Sequence, residues 1–186
     1  MDNSVVRIPV CGGITIKGFE RKNLLLSLCG LNCGLCSMYI GKYCPGCGGG
    51  DGNQGCRIAR CAMERGNTDY CFRCAEYPCE KYEHIDENDS FITHRNQKAD
   101  LEKAKNIGID AYVNEQKEKM RILDYLLMNF NDGRKKTLFC QAVNLLELES
   151  LRKLLSRLER CPDTMPREKG VFVGRADQRN CEKTQR

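Results

Sequence analysis

Cys29-Gly-Leu-Asn-Cys33-Gly-Leu-Cys36, Cys44-Pro-Gly-Cys47, Cys56-Arg-Ile-Ala-Arg-Cys61 and Cys71-Phe-Arg-Cys74-Ala-Glu-Tyr-Pro-Cys79 follow one another between residues 29 and 79. They hold ten of the fourteen cysteines of the 186-residue chain. Three C-x-x-C pairs stand among them: Cys33 with Cys36, Cys44 with Cys47, and Cys71 with Cys74. Two intervening residues let both sulfurs converge on one ion from a tight turn, and two such pairs complete a tetrahedron. Isolated buried cysteines do not arrive in repeated pairs. Cys44-Pro-Gly-Cys47-Gly48 is the most diagnostic piece, because a glycine after the second cysteine admits the positive φ that turns backbone N–H groups toward the sulfurs. Cys29, Cys33, Cys36, Cys44, Cys47, Cys56, Cys61, Cys71, Cys74 and Cys79 are therefore the candidate metal ligands.

This much cysteine serves either disulfides in secreted proteins or thiolate–metal sites in reducing compartments. The start of the chain, through Arg7 and Pro9, lacks the charged region, unbroken apolar run and small-residue cleavage site of a signal peptide. No run approaches the roughly 20 apolar residues of a membrane helix. The expected compartment is the cytoplasm, with reduced thiols. The formal charge of +5 does not argue for nucleic acid. Two four-thiolate zinc sites carry about −4 in total and bring the chain close to neutrality.

Organisation follows composition. Residues 1–28 read as an N-terminal extension, with two short strands at 5–10 and 14–17 around a Cys11-Gly-Gly13 turn. Residues 29–83 form the cysteine-rich module. It is poor in core formers and includes Gly48-Gly-Gly-Asp-Gly-Asn-Gln-Gly55, which packs no element. Such a segment needs metal or crosslinks to adopt one conformation. Short helices are expected over 57–65, ended by Gly66, and after Cys36 and Pro78. Residues 84–160 form a helical region. One helix spans 100–107, a second runs through Met120, Leu123, Leu126, Leu127 and Phe130, and a third through Leu145, Leu148, Leu151, Leu155 and Leu158. These stripes read as mutual core. From residue 161 the tail is basic, aperiodic and expected to be mobile. The fold class is thus a small metal-stabilised irregular module plus a helical C-terminal part, mainly α with little strand.

Other chemistries fit less well. A thioredoxin-type dithiol follows a strand and opens a helix, whereas Cys44-Pro-Gly-Cys47 opens a glycine-rich loop. Cys29-x3-Cys33-x2-Cys36 has the spacing of radical S-adenosylmethionine enzymes, but the strand–helix repeat of their barrel does not follow. Iron–sulfur clusters also use C-x-x-C pairs with a remote ligand, although the compact ferredoxin run is missing. Zinc, as two ions, is the leading assignment and an iron–sulfur cluster the alternative. Ten cysteines exceed the eight that two mononuclear sites need, so two are spare or one site is multinuclear. His84 and His94 lie beyond the dense cluster and read as surface residues. Cys140, beside Phe139, reads as a buried hydrophobe, and Cys11, Cys161 and Cys181 lack metal-type partners nearby. No acid–base, nucleophilic or phosphate-binding motif stands out. The expected role is a structural or interaction module for a protein partner, with nothing pointing to nucleic acid or a membrane. The alternative is electron transfer or redox sensing.

The same residues resemble a bacterial and archaeal family called domain of unknown function 3795. The likeness runs from Cys29 through Cys44-Pro-Gly-Cys47 and Cys56–Cys61 to the Tyr77-Pro-Cys79 ending. Ile107-Gly-Ile-Asp-Ala-Tyr-Val-Asn-Glu-Gln-Lys-Glu118 resembles the helix that follows in many members. Asn131-Asp-Gly-Arg134, Phe139-Cys140 and Ala142-Val-Asn-Leu-Leu146 resemble a segment of one subgroup. Over roughly residues 28–160 the resemblance implies metal binding, usually presumed to be zinc, and no assigned reaction. Many relatives carry a further C-x-x-C where this chain has Met120-Arg-Ile-Leu-Asp124.

Overall fold

Helices dominate, and no strand occurs among the described residues, which are 18–50 and 55–160 of a computed structural model. The expected strands, Cys11, Cys161, Cys181 and the tail from residue 161 lie outside them. In chain order the helices are α1 (Ser37–Ile40), α2 (Arg57–Glu64), α3 (Gln97–Ile107), α4 (Ile109–Phe130), α5 (Lys136–Leu145) and α6 (Leu148–Glu159). Single 3-10 turns form at Cys33–Leu35, Cys71–Arg73 and Glu80–Tyr82.

Helix α2 matches its expected span and is capped by a cysteine. The Cys56 sulfur accepts from the Ala59 N–H at 3.5 Å, in the place usually taken by Ser or Asp. Gly66 follows with φ +82. The helix expected after Pro78 is reduced to the turn Glu80–Tyr82. Helix α4 spans 22 residues, about 33 Å, and starts well before the Met120–Phe130 stripe. Gly108, with φ +88, separates it from α3.

The single helix expected through Leu145 and Leu158 is two helices. Leu146 and Glu147 adopt extended backbone, with ψ of 142° and 147°, so the chain turns between α5 and α6. The leucine stripe survived this break in the sequence because Val143 before it and Leu148, Leu151 and Leu158 after it bury into one core. Helix α5 carries a buried Asn144 beside its buried Phe139, Cys140 and Val143, which masks its period.

Two apolar cores interlock the cysteine-rich segment with the helices. Leu26, Leu28, Ile58 and Tyr82 pack with Leu101 and Ala104 of α3 and Tyr112 of α4. Leu35 joins Leu126, Phe130, Phe139 and Val143 in the second core. Gly30, at φ +102, lets the backbone rest on α3: a Cβ there would lie 2.4 Å from the Gln97 carbonyl oxygen. Gln97 Nε2 donates to the Cys29 carbonyl at 3.1 Å.

Asn32, between Cys29 and Cys33, is the polar centre of this seam. Its Nδ2 donates to Asp100 Oδ2 at 2.8 Å and to Asn144 Oδ1 at 3.1 Å. The Tyr112 hydroxyl donates to Asn32 Oδ1 at 3.1 Å. Lys119 Nζ reaches the Asn144 carbonyl at 3.3 Å. Asn32, Tyr112, Lys119 and Asn144 are all buried, so the network replaces hydrogen bonds that water would otherwise supply. It ties the first cysteine loop to α3, α4 and α5 at once.

Candidate metal centre

The fold brings cysteines of the segment close to others distant in sequence as well as to their own sequence pairs. Cys29 is buried beside the Ser27 hydroxyl, 3.2 Å from its sulfur. Burial pushes its thiol up to about 11, and the nearby Cys47 and Cys56 sulfurs act in the same direction. Burial likewise pushes Cys33 up to about 12, opposed by the Cys47 N–H that points at its sulfur and reinforced by the charges of Cys47, Cys29 and Cys36. Cys47 is raised by burial too, while the Leu28 N–H and the Arg21 guanidinium favour its thiolate. Cys29, Cys33, Cys47 and Cys56 thus form one neighbourhood, around the start of α2.

Cys61, Cys71, Cys74 and Cys79 form the other. These four line one cavity of about 30 Å³, together with Arg65, Tyr77, Lys81 and Tyr82. Burial pushes the Cys71 thiol up to about 12, and the sulfurs of Cys29, Cys79 and Cys61 add to the effect. Helix α2 links the two groups, because Cys56 caps its N-terminus and Cys61 lies one turn further on.

Cys36 lies near its sequence partner Cys33, whereas no contact described for Cys44 brings it to another of these thiols. The Cys36 sulfur lies 3.8 Å from the Phe91 carbonyl oxygen, and Cys44 is half-buried where the Met38 carbonyl closes the turn after α1. His84 pairs with Glu87 on the surface, and His94 is held between Ser90 Oγ at 2.9 Å and the Ile85 carbonyl at 3.0 Å. Cys140 is buried among Leu35 and the α4–α6 side chains.

Among the described residues, no three His, Cys, Asp or Glu side chains stand close enough together to share one metal ion. The chemistry of the donor set nevertheless suits a thiophilic cation. All ten thiols are free of disulfide bonds. Those buried deepest resist ionisation, so a cation that displaces the proton meets a soft, desolvated ligand. The Tyr82 hydroxyl is buried against Cys71 and has no conventional hydrogen-bond partner. A thiolate at Cys71 would give that hydroxyl an acceptor, as outer-shell donors do for metal ligands. Binding an ion entails rotation of the thiol side chains toward it.

Sequence reasoning did not single out three residues around these thiols. Arg21 donates to the Leu26 carbonyl at 2.8 Å and to the Asp69 carbonyl at 2.9 Å, and stacks over Tyr70. It thereby staples residues before Cys29 to the loop before Cys71. Arg65 lies one turn beyond Cys61, near its sulfur, and pairs with both Glu76 oxygens at 2.7 Å. Tyr82 follows Cys79 closely enough to have been suspected; no sequence signal marks Arg21.

Residues 25–84 match the model of a family described as Protein of unknown function (DUF3795). The match contains all ten clustered cysteines, and the helices from α3 onward lie beyond it. No curated protein and no solved structure matches the chain. None of the helices among the described residues is long and apolar enough to cross a membrane.

Proposed function

We propose that this protein is a metal-binding structural or interaction module that holds two zinc ions in two four-thiolate sites. Cys29, Cys33, Cys47 and Cys56 are the ligands of one, and Cys61, Cys71, Cys74 and Cys79 those of the other. The observation that carries the reading is the cavity lined by these last four thiols, with the buried Tyr82 hydroxyl set against Cys71 beside it. Zinc with four thiolates is closed to substrate, so its role is to fix the irregular segment on α3 and α4. Such thiols persist in a reducing compartment, which supports a cytoplasmic location.

Metal content of cysteine variants tests the assignment. Cys47→Ser and Cys74→Ser should each lose about one zinc ion per chain, whereas Cys36→Ser and Cys44→Ser should keep about two. Loss of metal in the last two variants, or retention in the first two, would overturn the grouping. A second reading, an iron–sulfur cluster for electron transfer or redox sensing, draws support from the space between Cys61, Cys71, Cys74 and Cys79. Four thiolates set around a cavity suit a multinuclear centre as well as a single ion. Iron and labile sulfide lost on Cys74→Ser but not on Cys36→Ser would support that reading over zinc.

A further inference from the structure

Cys36 and Cys140, far apart in sequence, are brought near each other where the turn Cys33–Leu35 and α1 pack on α5. Leu35 and Cys140 share the second core. The turn Cys33–Leu35 and α1, which flank Cys36, both pack on α5, which carries Cys140. The Cys36 sulfur touches the Phe91 carbonyl, and Phe91 lines one small cavity with Leu35 and Cys140. The Cys140 thiol accordingly senses the charge of Cys36. Cys36 is half-buried and open to solvent on one side, while Cys140 is buried.

We propose that Cys36 and Cys140 are a redox pair that closes a reversible disulfide between the cysteine-rich segment and α5. The oxidant is a low-molecular-weight disulfide such as oxidised glutathione. The thiolate of the accessible Cys36 attacks one sulfur of that disulfide; an S–S bond forms on Cys36 and one glutathione thiolate leaves. Cys140 then gives its proton to solvent and attacks the Cys36 sulfur, and the second glutathione leaves as thiolate. Two protein thiols are oxidised by two electrons, and one glutathione disulfide is reduced to two thiols. The two thiols differ in access as an attacking and a resolving cysteine do. Closure cross-links α5 to the loop that contains Asn32, and so locks the seam between the two cores.

Mass spectrometry of the full-length, metal-loaded protein tests this directly. The protein is equilibrated with a series of oxidised and reduced glutathione mixtures, free thiols are alkylated, and the chain is cut with trypsin. The peptide 137–152 contains Cys140 alone, whereas 23–42 contains Cys29, Cys33 and Cys36. The expected product joins these two peptides, disappears on reduction, and forms without loss of metal. Cys36→Ser should abolish it, and Cys140→Ser should leave one glutathione on Cys36. Absence of the joined peptides at the most oxidising mixture would overturn the proposal. So would their persistence in Cys36→Ser, or loss of metal from Cys36→Ser under reducing conditions, since Cys36 would then be a ligand. The wild-type measurement needs no variant to fold.

Discussion

Replacing Asp100 by Asn should flatten the dependence of stability on pH between about 4 and 6. Asp100 accepts from Asn32 within the seam at 2.8 Å. Burial pushes its carboxyl from 3.8 up to about 6, against the opposing influence of Tyr112, Lys119 and Asn32. The folded state therefore binds this proton more tightly than the unfolded chain does. Its contribution is fully present below about pH 4 and is lost as pH rises through about 6. A shift of about two units corresponds to about 3 kcal/mol at most. Asn keeps the shape and an acceptor oxygen but cannot titrate. Metal uptake by the thiolates also varies with pH, and equally in both proteins, so the difference between them isolates Asp100. Urea unfolding at pH 4, 5, 6 and 7 measures it. Wild type should gain up to about 3 kcal/mol relative to Asp100→Asn as pH falls from 7 to 4. Parallel profiles would refute the claim that this carboxylate is buried at a cost.

Gly30→Ala should destabilise the fold by about 2–4 kcal/mol, because the residue sits at φ +102 and its Cβ would meet the Gln97 carbonyl; thermal unfolding of metal-loaded protein checks it. Tyr82→Phe should preserve the fold and weaken metal retention by the Cys61, Cys71, Cys74 and Cys79 group by about tenfold, read by chelator competition. Arg21→Ala should loosen the loop before Cys71 and raise hydrogen exchange there by about tenfold, since four carbonyls, those of Asn23, Leu26, Cys47 and Asp69, lose a donor.

What the sequence disclosed was the part written in local spacing. The cysteine knuckles, α2 with its Gly66 stop, and the apolar stripe of α4 follow from residues a few positions apart. The grouping of the thiols does not. Cys33 lies near Cys47 and Cys29 as well as Cys36, a set made by how the loops cross, which C-x-x-C spacing leaves open. Helix α5 was hidden because Asn144 occupies an inward position where a periodic pattern calls for an apolar residue. The break at Leu146–Glu147 was hidden because Val143 before it and Leu148, Leu151 and Leu158 after it face one core. Arg21 and Asn32 act on residues tens of positions away, and nothing beside them in the chain announces it.

The most direct test of the central claim is elemental analysis, with a visible spectrum, of full-length protein purified without oxygen. The thiolate-zinc account predicts colourless protein with about two zinc ions per chain, removed by chelator with loss of order over residues 29–83. Metal-free protein with the same segment folded and all its thiols reactive would contradict it.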